Sequence, residues 1–251
     1  MCAPAISWIK QELGLRERKG STVRDILRGQ VVFHGYSARL LPKGLGLPEG
    51  HRCVGYWWPA PEPGWQPDKR HVDFLECGST PVFFGFGSVS LGNEEHLTEV
   101  IRHVSRKLRV RSVVQAGWQG LQVEGDDILT ITECPHDWLF PHMAALTHHA
   151  GPGTMAAGLR AGVPTVPVPL SLDQPFWAHH LTTRGLAPAH IPARKLTAEG
   201  LAHALRTAVN DHQLRERCAA FAQIIRWEDG AAAVLNQLES LVERQTSRLR
   251  R

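Results

Sequence analysis

The residues best suited to chemistry stand in one run, HHAGPGTMAAGLRAG, which starts at His148. A strand is predicted to end at His148 and His149, a Gly-Pro-Gly turn to follow, and a helix to start near Thr154. A helix N-terminus presents backbone N–H groups without intrahelical partners and the positive end of the macrodipole. Gly151 and Gly153 let an anion reach that backbone, Thr154 adds a hydroxyl, and His149 adds a ring N–H. This set suits a diphosphate. Glycine also serves strand-to-helix turns for geometry alone, so the turn by itself leaves ligand and no ligand both open.

A second loop, SLDQPFWA, places Asp173 beside Gln174 where a strand should give way to a helix. An acid and an amide side by side can make several directed hydrogen bonds to vicinal hydroxyls, as a hexose requires. Asp173 also reads as a plain helix N-cap with Pro175 in the first turn, and one carboxylate can do both. A third loop, TECPHDWLFP, brings Cys134 and His136 to the same edge, where backbone groups could read a base while a ring covers its face. Within it, Trp138 reads as a core or staple residue and Cys134 as a small buried one. Two further loops, FGFGSVS and AGWQGL, contribute Gly87 with Ser88 and Gly117 with Trp118.

Alternating strands and helices are predicted to position these loops. Strands are expected at 82–86, 112–116, 128–131, 145–148 and 165–168. Helices are expected at about 94–108, 153–161 and 174–184, with three more after Leu196. Short apolar strands alternating with helices imply a parallel sheet covered on both faces. Such an α/β sheet, Rossmann-like, binds ligands beyond the carboxyl ends of its strands. Ahead of it, residues 5–28 read as helical, a short strand follows at Val31–Phe33, and 42–67 is crowded with proline and glycine. That crowded stretch carries Trp57, Trp58 and Trp65, so it reads as an ordered linker whose indoles are covered.

Composition narrows the function further. The 251 residues are 43% hydrophobic and 21% charged, the balance of an ordinary globular chain, and the net charge of +4 includes no dense Lys/Arg stripe. A nucleic-acid partner is therefore not expected. The five cysteines are scattered without CxxC spacing, which implies neither a disulfide framework nor a zinc site and points to a reducing compartment. No apolar run approaches the ~20 residues of a membrane span, and Lys10 and Glu12 interrupt any signal-peptide core. A cytoplasmic location is expected, with weak membrane-surface contact through Arg244, Arg248, Arg250 and Arg251 as the further option. No metal-ligand spacing appears among the other histidines, from His34 to His212.

Taken together, GFGS, CPHDWLFP, HHAGPGT and DQPFW resemble the C-terminal half of the sterol glucosyltransferases and their bacterial relatives in glycosyltransferase family 1. The family's phosphate loop reads HHGGAGT and its sugar loop GDQPFW. The resemblance extends upstream through GYWWP at Gly55–Pro59 and downstream through EDG at Glu228–Gly230. It implies the sugar-nucleotide-binding lobe of a two-lobed GT-B enzyme, transferring glucose from UDP-glucose to a lipophilic alcohol such as a sterol, with inversion and no obligatory metal. By that resemblance His149, Gly151, Gly153 and Thr154 hold the diphosphate, and Asp173 and Gln174 the hexose. Ser88 would stand beside the phosphates or acceptor cleft, Cys134 and His136 would flank the uracil, and Gly117 and Trp118 the nucleoside.

The implied domains are 1–50 as a remnant of the acceptor lobe, 51–80 as the interlobe linker, 81–245 as the nucleotide-sugar domain and 246–251 as a basic tail. The family's general base belongs to the acceptor lobe, which is expected to come from elsewhere, in trans or as missing sequence. Without a positioned base and an oriented acceptor the rate should fall by ~100-fold or more. The alternatives are a non-catalytic nucleotide-sugar-binding module and a sugar-nucleotide epimerase of similar architecture, the latter disfavoured by the Asp-Gln-Pro-Phe-Trp run. Three departures stand out: Ala150 and Leu172 replace glycines of the family pattern, and Pro152 replaces an alanine and removes one N–H donor.

Overall fold

In the computed structural model, residues 30–60, 62–87, 94–117 and 120–249 are described. The helix expected at 5–28 and the candidates Ser88 and Trp118 fall outside them. Contacts divide the chain into two units. In the smaller, residues 30–34 and 46–52, strand β1 (Val32–His34) pairs with β2 (His51–Cys53). There Val32 N–H donates to the Gly50 carbonyl at 3.0 Å, and His34 Nε2 lies 3.0 Å from His51 Nδ1.

The larger unit, residues 35–45 and 53–251, contains five parallel strands. They are β3 (Val82–Gly85), β4 (Ser112–Gln115), β5 (Ile128–Ile131), β6 (Ala145–His148) and β7 (Thr165–Pro167). Their order across the sheet is β5-β4-β3-β6-β7, with Val82 in register with both Ser112 and Ala145. Alternation along β3 loads both faces. Val82 and Phe84 enter one apolar cluster with Val114, Ala145 and Val166, while Phe83 enters the other with Val113, Leu129 and Leu146. Phe83 and Phe84 are fully buried, and burying one phenylalanine stabilises a fold by about 1.5–3 kcal/mol.

Helices cover both faces. In chain order they are α1 (Lys69–Glu76), α2 (Glu94–Leu108), α3 (His136–Leu139), α4 (Pro152–Ala161), α5 (Gln174–Thr183), α6 (Ala198–Asn210), α7 (His212–Ile225) and α8 (Gly230–Leu249). Helix α2 buries Leu97, Val100, Ile101 and Val104, the spacing of a single helical face. Glu94 and Glu95 at its start and Arg106 and Lys107 at its end complement the macrodipole.

The strands at 128–131 and 145–148 and the helix at 94–108 lie where the sequence places them. Three strands stop one residue early, at Gly85, Gln115 and Pro167. Helix α1 arises within 51–80, read as linker, just after the run of prolines, and is capped by Asp68, whose Oδ1 accepts from Arg70 N–H at 2.7 Å. Helix α8 runs to Leu249, into the stretch read as a tail. The expectation that the linker indoles are covered fails for Trp57, which is 55% exposed; Trp65 packs edge-on against Trp138 at 5.5 Å. No described helix is long and apolar enough to cross a membrane.

Two distant motifs interlock within the larger unit. The Glu228 carboxylate accepts from the Ser37 hydroxyl at 2.6 Å and from Tyr56 N–H at 3.4 Å, and Gly230 N–H donates to the Tyr56 carbonyl at 3.0 Å. GYWWP and EDG are therefore one structural feature.

Candidate functional site

The topology fixes where a site can form. The chain runs outward from β3 through β4 to β5, then crosses back to place β6 on the other side of β3. The carboxyl ends of β3 and β6 are thus the point where strand order reverses, and open α/β sheets bind ligands at such points. The β3 end leads to Gly87, and the β6 end leads to the His-His-Ala-Gly-Pro-Gly turn.

His148 closes β6 and is fully buried. Its Nδ1 accepts the Ala150 N–H at 3.0 Å, so the ring proton sits on Nε2, which faces the Thr165 hydroxyl at 2.7 Å. Burial pushes its pKa down to about 3, and His149 and His136 push the same way. His148 is a neutral strut that holds the turn. The turn needs holding, because Ala150 is buried with φ at 64°, a left-handed conformation that disfavours any residue with a Cβ.

His149 points into the switch point between two glycines. A Cβ on Gly87 would meet its Cε1 at 2.8 Å, and a Cβ on Gly151 would collide with its Nε2. Burial lowers its pKa, against the upward pull of the Gly85 carbonyl and the Asp173 carboxylate. Its buried Nδ1 makes no hydrogen bond of ordinary geometry among the described residues, so the Gly85 carbonyl acts from outside that geometry. Nε2 lies over Gly151, the N-cap of α4, and as a glycine that N-cap makes no side-chain cap bond to the helix. Pro152 takes the first helical position, where its missing N–H takes no bond from the helix. Gly153 is exposed, and among the described residues nothing stands within 4 Å of where its Cβ would be. The arrangement is an open helix N-terminus with a histidine nitrogen beside it.

Asp173 and Gln174 sit on the adjoining loop. Asp173 occupies the N-cap position of α5 but does not cap it with its side chain. Its Oδ2 accepts instead from the Trp177 indole N–H at 2.9 Å. The buried Gln174 turns its Oε1 to Leu170 N–H at 2.8 Å and Ser171 N–H at 3.2 Å. Leu172, just before the pair, has φ at 57° and is 91% exposed.

Residues 114–241, half of the chain, match the family described as the erythromycin biosynthesis protein CIII-like C-terminal domain. The chain belongs to this family. It is a glycosyltransferase C-terminal domain, related to the sterol glucosyltransferases. A sterol 3-beta-glucosyltransferase of Arabidopsis thaliana is 34% identical over 215 residues, 82% of this chain and 33% of the relative. The O-mycaminosyltylonolide 6-deoxyallosyltransferase of Streptomyces fradiae is 33% identical over 231 residues, 91% of this chain and 54% of its own length. The chain thus spans a third to about half of these curated relatives. Among solved structures, the spinosyn forosaminyltransferase SpnP superposes with a TM-score of 0.70 at 18% identity, over 96% of this chain and 62% of its own. An anthocyanidin 3-O-glucosyltransferase in complex with UDP gives 0.63 at 15%, over 77% and 48%. The glycosyltransferase VinC in complex with dTDP gives 0.59 at 22%, over 72% and 45%. These likenesses establish the GT-B C-terminal fold.

The other described candidates of this glycosyltransferase domain, Cys134, His136 and Gly117, follow strands of the same sheet. The His136 ring stacks on Phe140 at 4.3 Å, and its Nε2 lies 3.3 Å from Gln115 Oε1. Since an amide oxygen only accepts, Nε2 carries the proton. Burial takes the His136 pKa down to about 4. Cys134 is buried, with its thiol pushed up to about 11, so it stays protonated at neutral pH. A Cβ on Gly117 would lie 2.5 Å from the Gly87 carbonyl, so the loops after β3 and β4 abut. Sequence reasoning treated His148 only as a strand end and missed Trp177. A buried histidine bonded to its own turn leaves no spacing signal, and the Trp177 contact follows only once Asp173 and Trp177 share a helical turn. Among the described residues no group of three or more His, Cys, Asp and Glu could hold a metal ion.

Proposed function

We propose that this domain is the donor-binding lobe of an inverting glycosyltransferase that holds a UDP-sugar, UDP-glucose by preference, for transfer to a lipophilic alcohol such as a sterol. The observation that carries the reading is His149 Nε2 over Gly151, at the uncapped N-terminus of α4. A diphosphate there would meet the free N–H groups of Gly153 and Thr154 and the imidazole together. Asp173 exerts a Coulombic pull on His149, so the carboxylate lies within electrostatic range of the same site, where it could read a sugar beyond the phosphates. Two structural neighbours that were solved with UDP and dTDP support a nucleoside diphosphate as the ligand class.

In the reaction, an acceptor oxygen attacks the anomeric carbon from the side opposite the diphosphate. The bond from that carbon to the phosphate oxygen breaks, and its electron pair leaves with UDP. The helix end and His149 stabilise the developing charge without need of a metal. The base that takes the acceptor proton would come from an acceptor lobe, supplied in trans or by sequence joined to this domain. Radiolabelled UDP-glucose with a panel of sterols tests this. Transfer is expected only when the acceptor half of a relative is added, and robust transfer by this chain alone would contradict it.

A further inference from the structure

The Asp173 carboxylate, the expected sugar reader, is not left to itself. One oxygen accepts the Trp177 indole N–H at 2.9 Å. Trp177 is only 5% exposed, and the edge-on rings of Tyr36 at 5.0 Å and Phe176 at 4.9 Å hold it in place. Gln174 is anchored similarly. Both partners of its Oε1, Leu170 N–H and Ser171 N–H, are donors, which fixes the amide orientation and leaves its Nε2 as the remaining donor. The pair thus offers a carboxylate oxygen that accepts and an amide that donates. That polarity fits two neighbouring hydroxyls, one giving its proton to Asp173 and the next accepting from Gln174.

We propose that Trp177 is a positioning residue that fixes the rotamer of Asp173 and so sets how the donor sugar is read. This rests on the donor-lobe reading above. An exposed carboxylate can turn freely about its side-chain bonds, and a buried indole donor removes that freedom before the sugar arrives. Trp177 acts through Asp173 and touches no reacting atom.

The test measures UDP and UDP-glucose binding by calorimetry in wild type, Trp177→Phe, Asp173→Ala and the double variant. Phenylalanine keeps a ring against Tyr36 and removes the N–H. Trp177→Phe should weaken UDP-glucose about tenfold and leave UDP unchanged. In the Asp173→Ala background it should add nothing. Equal weakening of both ligands, or a full further loss in that background, would overturn the proposal in favour of simple packing. A second readout needs no variant: with tryptophan indoles labelled by ¹⁵N, UDP-glucose should shift the Trp177 N–H resonance more than UDP does. An equal response to the two would overturn the proposal. If wild type binds neither ligand, the donor-lobe reading fails first and this inference with it.

Discussion

His149 Nε2 lies so close over Gly151 that no other residue type fits there without moving the ring. That contact joins a strand end, a helix N-terminus and the reversal of strand order at one place. It divides the expected ligand chemistry between His149 on the phosphate side and Asp173 on the sugar side.

The division predicts different losses. His149→Ala should weaken UDP and UDP-glucose alike, by about ten- to a hundredfold for a lost charge-assisted hydrogen bond. Asp173→Ala should weaken UDP-glucose and leave UDP nearly unchanged. An anion beside His149 favours its charged form, so wild-type affinity for UDP-glucose should rise as pH falls from about 8 to about 6. Calorimetry across this series checks all three statements.

Leu172 holds a left-handed backbone with its side chain almost wholly in solvent. Leu172→Gly removes ~1–2 kcal/mol of strain and returns ~0.4–1 kcal/mol through a freer unfolded chain. It should therefore raise stability slightly, by about 0.5 kcal/mol, or about 1–2 °C in Tm. Ala150→Gly relieves the same strain but loses a fully buried methyl, so its gain should be smaller. Paired thermal melts decide, and a marked loss in Leu172→Gly would mean that Leu172 makes contacts its exposure does not reveal.

These two positions also mark the limit of what the sequence makes legible. The sheet is readable because Phe83 and Phe84 announce opposite faces and because a run such as Ala145–His148 is bounded by turn residues. The strand-to-helix turn proposed to hold phosphate is readable from Gly151 and Gly153. Ala150 and Leu172 hide their backbone conformation, because neither residue type signals positive φ. Taken alone, Asp173 reads as a helix cap, a role compatible with holding a sugar, and its side chain instead bonds Trp177 and caps nothing. Helix α1 escapes notice because its eight residues follow a run of prolines that reads as loop.

Two buried histidines should make the fold sensitive to acid. The His148 pKa falls from about 6.5 unfolded to about 3 folded, and that of His136 to about 4. The unfolded chain therefore binds protons first as pH drops. Stability from these groups is fully present above about pH 6.5 and is lost as pH falls toward 4 and then 3, by up to about 1.4 kcal/mol per pH unit for each. Urea midpoints between pH 7 and pH 4 should fall steadily, and His136→Phe should reduce the slope.

Glu228 joins the two outlying motifs. Glu228→Ala strands the buried Ser37 hydroxyl and the Tyr56 N–H and should cost about 1–3 kcal/mol. Gly230→Ala should cost more, because its Cβ would run into the Gly55 carbonyl, which is backbone and cannot swing aside. Denaturant titrations of both variants check the order.

A nucleoside diphosphate should bind at the switch point between β3 and β6. Isothermal calorimetry of the wild-type chain with UDP, repeated with chelator and with His149→Ala, tests it most directly. One site is expected, with the same affinity with and without chelator and a marked loss in His149→Ala. No heat with millimolar UDP or dTDP, binding that vanishes with chelator, or binding indifferent to His149 would contradict it.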